Sequence, residues 1–251
     1  MRAIDWGAIM ASNVDDPRLN SWLESLPDAT RQTIVGVTQS ILESYPDILA
    51  TIVVGSMATG DYDEHSDVDY AFVRDQRIPK PDIIRIRQPH PRIHFISYLP
   101  STLAEHFNTG TMMAWAVKQG RIVHDPHGLL RDYLARPLSN PPFAWIAERL
   151  EYVTGWPDDA KKLSLKTINL AMLFLATQGI VRVTKVSTGR QIAAHPCHEA
   201  TKRAVEVAMG IRTGKPGQLS DPQSRIMRDG VARLTTEIHR ALANPPSPRP
   251  G

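Results

Sequence analysis

The 251-residue chain has a single cysteine, Cys197, and no long hydrophobic run. One cysteine excludes a disulfide within the chain and fits a reducing compartment. No stretch reaches the roughly 18 consecutive apolar residues that a membrane-spanning helix needs. The first six residues (Met-Arg-Ala-Ile-Asp-Trp) lack the basic and apolar segments of a secretory signal. The sequence therefore predicts a cytoplasmic protein that does not engage a membrane.

The chain also carries little excess charge. Its 29 Lys and Arg residues against 26 Asp and Glu give a net charge of +3, with a pI near 9.1. This mildly basic balance suits an anionic ligand such as a nucleotide. It does not require nucleic acid, because no long Lys/Arg stripe with interleaved aromatic residues is present. We interpret the densest basic stretch as a solvated loop; it contains Lys80, Arg85, Arg87 and Arg92.

The most informative motif begins in a short apolar run. Residues 49–54 (Leu-Ala-Thr-Ile-Val-Val) are rich in β-branched side chains and predict a buried strand. Gly55-Ser56 follows, and a tight turn there would offer backbone N–H groups and a hydroxyl to phosphate oxygens. Residues 57–60 predict the start of a short helix whose N-terminus faces the turn, a favourable position for an anion.

A second predicted strand, residues 67–73, carries two carboxylates. Alternation along a strand places Asp67 and Asp69 on one face and turns Val68 into the core. Asp is depleted from strands, so such a pair is costly without a partner. Mg²⁺ prefers carboxylate and phosphate oxygens and is often held by one or two Asp residues plus substrate. The pattern predicts a divalent-metal site beside a phosphate-binding turn.

Gly55-Ser56, a ten-residue spacer and Asp67-Val68-Asp69 together resemble the signature of the polymerase-beta-type nucleotidyltransferase superfamily. Within it, the chain is most similar to small bacterial nucleotidyltransferases of the aminoglycoside adenylyltransferase kind. The core of the similarity covers residues 49–73. The resemblance implies an α+β fold, in which a small mixed β-sheet nucleotidyltransferase core with packed helices precedes an all-α helical bundle.

The resemblance also assigns roles to individual residues. Asp67 and Asp69 would be catalytic and would hold Mg²⁺, with Mn²⁺ as an alternative. Gly55, Ser56 and Ser66 would contact the nucleoside triphosphate. An acceptor hydroxyl would then attack the α-phosphorus in line, and pyrophosphate would leave.

One element of the superfamily pattern is missing. Its members normally carry a third carboxylate on a neighbouring strand, which we predict here at residues 92–98. The positions able to face the Asp pair are Arg92, His94 and Ile96, and none is acidic. We take His94 as the catalytic candidate, because a neutral imidazole can accept a proton or bind a metal; an ordinary strand residue is the other interpretation. Asp63 and Glu64, in the loop before the Asp pair, are weaker substitutes for the missing carboxylate.

The sequence divides into three segments. Residues 1–137 form the predicted nucleotidyltransferase domain, 138–243 the helical domain and 244–251 a disordered Pro-rich tail. In the first segment we expect a helix at 28–44, a loop or broken edge at 77–91 with its four prolines, and an edge strand at 120–126.

The helical segment supplies further candidates. We predict helices at 143–153, 158–178, 192–209 and 221–243, and a loop holding Lys185, Thr188 and Arg190. Lys162 and Lys166 lie one turn apart, so we assign them to phosphate; a solvated lysine face is the alternative. The short Arg-x4-His pattern of helical ribonucleases also occurs, at Arg190 and His195, but the following Pro196 disfavours a helical His195.

These observations predict a Mg²⁺-dependent nucleotidyltransferase that binds an NTP such as ATP and transfers its NMP to a hydroxyl. The acceptor stays open among an aminoglycoside-like small molecule, a tRNA end and a protein hydroxyl, and the oligomeric state is equally open. The missing third carboxylate motivates the alternative, a catalytically impaired nucleotide- or partner-binding module such as a toxin–antitoxin component.

Overall fold

The computed structural model describes residues 17–62, 66–182, 184–213 and 220–244. These residues fall into two compact units. The first comprises the described residues up to Asn108 together with Met113–Leu138, and the second comprises Thr109–Met112 with those from Ser139 onward. Asp63, Glu64 and the predicted disordered tail after Asn244 lie outside the described residues.

The first unit contains a four-stranded mixed sheet with the order β3-β2-β1-β4. Of the two inner strands, β1 pairs antiparallel with both β2 and β4, while β2 pairs parallel with β3. The strands predicted at 49–54, 67–73 and 92–98 are confirmed to within one residue, and the segment at 120–126 forms the predicted edge strand. Their bounds are Ala50–Val54 (β1), Val68–Val73 (β2), Ile93–Tyr98 (β3) and Arg121–His124 (β4).

Helices cover both faces of this sheet, and the helix predicted at 28–44 has those same bounds. It carries Asp28 in its first turn and ends before Pro46. The helices are Pro17–Ser25 (α1), Asp28–Ser44 (α2), Gly55–Thr59 (α3), Lys80–Arg87 (α4), Pro100–Thr109 (α5), Met112–Lys118 (α6) and Leu129–Ala135 (α7).

Strand alternation sends the side chains to two separate cores. One face of the sheet packs against α1 and α2, and its residues include Val53, Val68, Tyr70 and Ile93. The opposite face packs against α5, α6 and α7 and includes Val54, Ala71, Val73 and Tyr98. Val68 is 3% exposed, so its predicted place in the core is confirmed. Asp69 has the same parity along β2 as Ala71 and therefore lies on the α5–α7 face.

The loop or broken edge predicted for 77–91 is wrong, because Lys80–Arg87 is the helix α4. Proline lacks an N–H, but the first helical turn does not need that donor, and prolines at 79 and 81 therefore begin the helix rather than break it. Asp82 in the first turn and Arg85 and Arg87 in the last complement the helix dipole. Ile86 is buried among isoleucines and Phe72 and fastens α4 to the sheet.

The regular secondary structure described in the second unit is helical. The helix α9 begins after Asp159, whose side chain accepts from the Lys162 backbone N–H, and the predicted stop at Gly179 is confirmed by its φ of +74°. The helices are Phe143–Thr154 (α8), Ala160–Thr177 (α9), Lys185–Ala194 (α10), Glu199–Thr213 (α11) and Asp221–Ala243 (α12). In the described ranges, no helix is both long and apolar enough to cross a membrane.

Two predictions for the segment between α9 and α12 are wrong. The single helix predicted at 192–209 is interrupted between α10 and α11, because His195 precedes Pro196 and is extended, with φ −77° and ψ 143°. The loop predicted for Lys185, Thr188 and Arg190 belongs to α10. Thr184 caps this helix by accepting from the Ser187 N–H at 3.1 Å, a signal that the spacing of apolar residues does not reveal.

Candidate active site

Three residues from three strands stand side by side at one end of the sheet. The register pairs Val54 of β1 with Asp69 of β2, and Asp69 with His94 of β3. The register therefore places His94 opposite Asp69, and its catalytic role stays a prediction. Neighbouring strands lie about 4.7–4.9 Å apart, so side chains that project from the same face at paired positions can meet.

Asp69 and His94 form a hydrogen-bonded pair. His94 Nδ1 lies 3.0 Å from Asp69 Oδ1, with 62% of the histidine side chain and 35% of the aspartate side chain exposed. The bond to Asp69 raises the pKa of His94, although partial burial opposes the rise. The charge of Arg87 lowers this pKa and the charge of Asp67 raises it.

Gly55 contacts the other oxygen of the same carboxylate. Its φ is +71°, a conformation that strains residues with a Cβ, and a Cβ placed there would lie 2.6 Å from Asp69 Oδ2. Glycine is therefore required twice, by the backbone conformation and by the neighbouring oxygen. The helix α3 starts at Gly55 itself, two residues earlier than expected, and ends at Thr59, which is followed by Gly60 with φ +80°.

The loop end that carries Asp67 is tied to the start of β3. The Arg92 guanidinium donates to the backbone carbonyl of Ser66, and the Val68 N–H donates to the Arg92 carbonyl at 2.9 Å. Asp67, between these two anchors, is exposed, and Ser56 is half-buried on α3. The Ser66 side chain is buried, with the residue 1% exposed, so this residue has a place inside the fold and its nucleotide contact stays a prediction.

The two lysines assigned to phosphate lie in the second unit and differ sharply in environment. Lys166 is 5% exposed, and its Nζ donates to Asp158 Oδ1 at 2.7 Å and to the Thr154 carbonyl at 3.2 Å. Burial and pairing within its own unit explain this lysine without a ligand. Lys162 is 53% exposed, with its Nζ 4.0 Å from Asp159 Oδ2, so it alone presents a charge to solvent. The phosphate role of both stays a prediction.

Tyr98, which the sequence analysis did not single out, is a core residue that pairs with Val73 at the other end of β2 from Asp69. It is 3% exposed, and its hydroxyl has no hydrogen-bond partner among the described residues. Burial raises its pKa, and the charge of Asp69 raises it further, which places the carboxylate in the electrostatic range of the ring. Alternation along β3 sets Tyr98 on the face that holds His94, with the small Ala71 in the row between Asp69 and Val73. That alternation is the signal by which Tyr98 could have been found.

The donor set limits which metal could bind. Within the described ranges, no group of three or more His, Cys, Asp or Glu side chains is arranged to hold a metal ion. Asp67 and Asp69 supply the carboxylates of the predicted metal site, and the structure shows Asp69 against Gly55. Such a set fits Mg²⁺, which keeps several waters and takes further oxygens from substrate phosphates, and it does not fit a closed structural zinc site.

Comparison with known proteins supports the fold. No protein-family model matches the chain, and no curated protein sequence does. A spectinomycin adenyltransferase from Enterococcus faecialis, determined with ATP and spectinomycin, superposes with a TM-score of 0.60 and 12% identity over 83% of this chain and 98% of that one. The nucleotidyltransferase fold implied by the sequence resemblance is thereby confirmed.

A second solved structure is more distant. A nucleotidyltransferase-like protein from Exiguobacterium sibiricum matches over 82% of this chain and 77% of its own at 14% identity. Its TM-score of 0.31 is too low to indicate a common fold.

Proposed function

We propose that this chain is a Mg²⁺-dependent nucleotidyltransferase that transfers an NMP from an NTP to a hydroxyl acceptor and releases pyrophosphate. The observation that carries the proposal is the position of the Asp69 carboxylate, one oxygen against Gly55 and the other bonded to His94. The fold supports it, because the solved neighbour with a TM-score of 0.60 is an adenyltransferase with ATP bound.

The residues divide the work of binding. Asp67 and Asp69 would hold the Mg²⁺, and the ion would neutralise charge that develops on the phosphate oxygens. The Gly55 N–H and the Ser56 hydroxyl donate to the outer phosphates of the NTP. Arg92 keeps Asp67 in place by anchoring the Ser66 carbonyl beside it. Positioning and charge neutralisation account for most of the rate in reactions of this kind.

His94 acts as the general base in this proposal. Because its Nδ1 is bonded to Asp69, its Nε2 is left to take the proton from the acceptor hydroxyl. The acceptor oxygen bonds to the α-phosphorus, and the bond from that phosphorus to the pyrophosphate oxygen breaks. Asp69 fixes the ring orientation and stabilises the imidazolium as the proton arrives. His94 must be neutral to begin, so activity is expected to rise with pH as the imidazolium loses its proton.

Label transfer tests the proposal. The protein is incubated with Mg²⁺, each α-labelled NTP in turn, and a cell extract that supplies acceptors. Asp69→Asn should abolish labelling, and His94→Gln should lower it by about 10²–10⁴-fold. The matched control is Asp75→Asn, which removes an exposed carboxylate just beyond the other end of β2. Equal labelling by wild type and Asp69→Asn would refute the assigned role.

A second candidate is a nucleotide- or partner-binding module without turnover. It is favoured by one observation, that β3 presents His94 and not a carboxylate opposite Asp69. The two candidates separate in a titration with a non-hydrolysable NTP and Mg²⁺ or Mn²⁺. The module binds it in an Asp69-dependent manner and transfers no label from any hydrolysable NTP, whereas the enzyme does both.

A further inference from the structure

The net positive charge of the chain resides in one segment. Residues 77–98, which contain α4 and β3, carry five Lys and Arg residues against one Asp, a net charge of +4. The remaining residues carry 24 Lys and Arg against 25 Asp and Glu, a net charge of −1. A mildly basic protein is thus a nearly neutral protein with one strongly basic segment.

Folding turns this segment into a continuous surface. Lys80, Ile84 and Arg87 follow helical spacing along one side of α4, Arg85 projects from the other flank of its solvent-exposed half, and all four are exposed. We call Lys80, Arg85 and Arg87 the basic face of α4. The single acid, Asp82, bonds to the Tyr45 hydroxyl and lies 3.2 Å from Arg85, so it offsets one of the charges only in part. An eight-residue helix is about 12 Å long, which makes the basic face a line of charge and not a point.

The basic face leads to the reacting groups. Arg87 ends α4, its carbonyl accepts from the His90 N–H at 2.7 Å, and the Ile93 N–H donates to the His90 carbonyl at 3.0 Å, so backbone hydrogen bonds tie this end of the helix to the residue before His94. Arg92 holds the carbonyl next to Asp67 from the start of β3. Ile84, 59% exposed in the middle of the face, adds an apolar contact between the cations. A ligand that follows the face would therefore bring its end close to the His94 imidazole.

We infer that the acceptor is a polynucleotide whose phosphodiester backbone lies along the basic face of α4 and whose terminal hydroxyl reaches His94. This inference rests on the proposed function and names its acceptor class. A polycationic aminoglycoside would be repelled by the same charges, because the Coulomb interaction between like charges is unfavourable near a protein surface. The NTP does not explain the face, since its phosphates are held at Gly55, Ser56 and the Asp pair.

Salt-dependent binding tests the surface without requiring turnover. A fluorescein-labelled single-stranded RNA with a free 3′-hydroxyl is titrated by anisotropy at several NaCl concentrations. Each phosphate contact on a single strand contributes about −0.7 to the slope of log K against log salt, so the triple change K80Q/R85Q/R87Q should flatten the slope by about 2. Arg87→Gln alone should flatten it by about 0.7.

A matched variant removes the same charge from another surface. Arg225, Arg228 and Arg233 are exposed arginines of α12, and R225Q/R228Q/R233Q should leave the slope unchanged. Equal slopes for wild type and the α4 triple variant would overturn the inference. So would capture by phosphatidylserine vesicles that depends on Lys80, Arg85 and Arg87 while the RNA stays unbound, because a membrane would then be the ligand.

Label transfer distinguishes failure of this inference from failure of the proposed function. The expected result is labelled RNA or DNA when the 3′-hydroxyl is free and none when it carries a phosphate, and parallel arms with the two polymers identify the sugar. Labelling of a small molecule or a protein in place of either polymer would overturn the acceptor class and leave the enzyme proposal standing. Salt-sensitive RNA binding with no labelled acceptor of any kind would refute the enzyme and, with it, the acceptor role.

Discussion

Replacement of Gly55 by alanine should disturb the fold and the site together. The residue has φ +71°, and a Cβ there would lie 2.6 Å from Asp69 Oδ2, closer than real Cβ contacts allow. The carboxylate must therefore move, and its other oxygen would leave His94 Nδ1, which now lies 3.0 Å away. The same substitution at Gly60 provides the matched control, since φ there is +80° and no atom lies within 4 Å of the added carbon.

Two contributions determine the expected size of the effect. A non-glycine residue in the left-handed region costs about 1–2 kcal/mol, and Gly55→Ala and Gly60→Ala share this cost. Displacement of Asp69 adds the loss of a partly exposed ion pair, worth about 0.5–1 kcal/mol. We therefore expect Gly60→Ala to lower the free energy of unfolding by about 1–2 kcal/mol and Gly55→Ala by about 1.5–3 kcal/mol.

Urea denaturation measures both variants, and a double-mutant cycle isolates the contact. In an Asp69→Ala background the carboxylate is gone, so Gly55→Ala should cost no more than Gly60→Ala does. An NMR titration should also find the pKa of His94 closer to its ordinary value in Gly55→Ala but not in Gly60→Ala. Equal destabilisation by Gly55→Ala and Gly60→Ala in the wild-type background would refute the claim that Asp69 lies against Gly55.

Three further outcomes follow from the structure. The pKa of His94 is raised on folding. The stabilisation of the fold by the His94–Asp69 pair is therefore complete below the ordinary pKa of about 6.5 and is lost as pH rises through the raised pKa. The stability difference between wild type and His94→Gln, measured by urea denaturation, should shrink from pH 5.5 to pH 8.5. Tyr98→Phe removes a hydroxyl without a partner among the described residues and should change stability little, whereas Tyr70→Phe breaks a 2.7 Å bond to a buried threonine and should cost about 1 kcal/mol. Lys166→Met should destabilise less than Asp158→Asn in thermal melts, because only the second leaves a buried charge unpaired.

The sequence predicted the strands of the sheet because their signals are local. Apolar runs, the glycine after β1 and alternation along β2 suffice to place Asp69 and Val68 on opposite faces. The partner of Asp69 was also foreseeable, because any parallel strand beside β2 must present one alternating set of side chains, and His94 belongs to that set. These parts of the site follow from short-range geometry.

The errors arise where tertiary packing or capping outweighs composition. Prolines at 79 and 81 suggested a loop, but both occupy positions where a helix tolerates proline, and burial of Ile86 stabilises α4. The i,i+4 spacing of Lys162 and Lys166 indicated a shared face, yet Asp158 and the end of α8 bury one of them. The spacing of residues shows which of them share a face of a helix, but it does not show which of them a neighbouring helix buries.

The identity of residue 94 changes what holds the site together before any ligand arrives. A carboxylate at this position would face Asp69 with the same charge, and two such groups within hydrogen-bond distance cannot both ionise without a cation between them. His94 removes that conflict, since its imidazole bonds to Asp69 Oδ1 directly. Asp69 Oδ2 is meanwhile confined by Gly55. The glycine turn, the acidic strand and the histidine strand are therefore organised as one unit by a single carboxylate, and this chain can preorganise its site where a third carboxylate would have to wait for a metal ion.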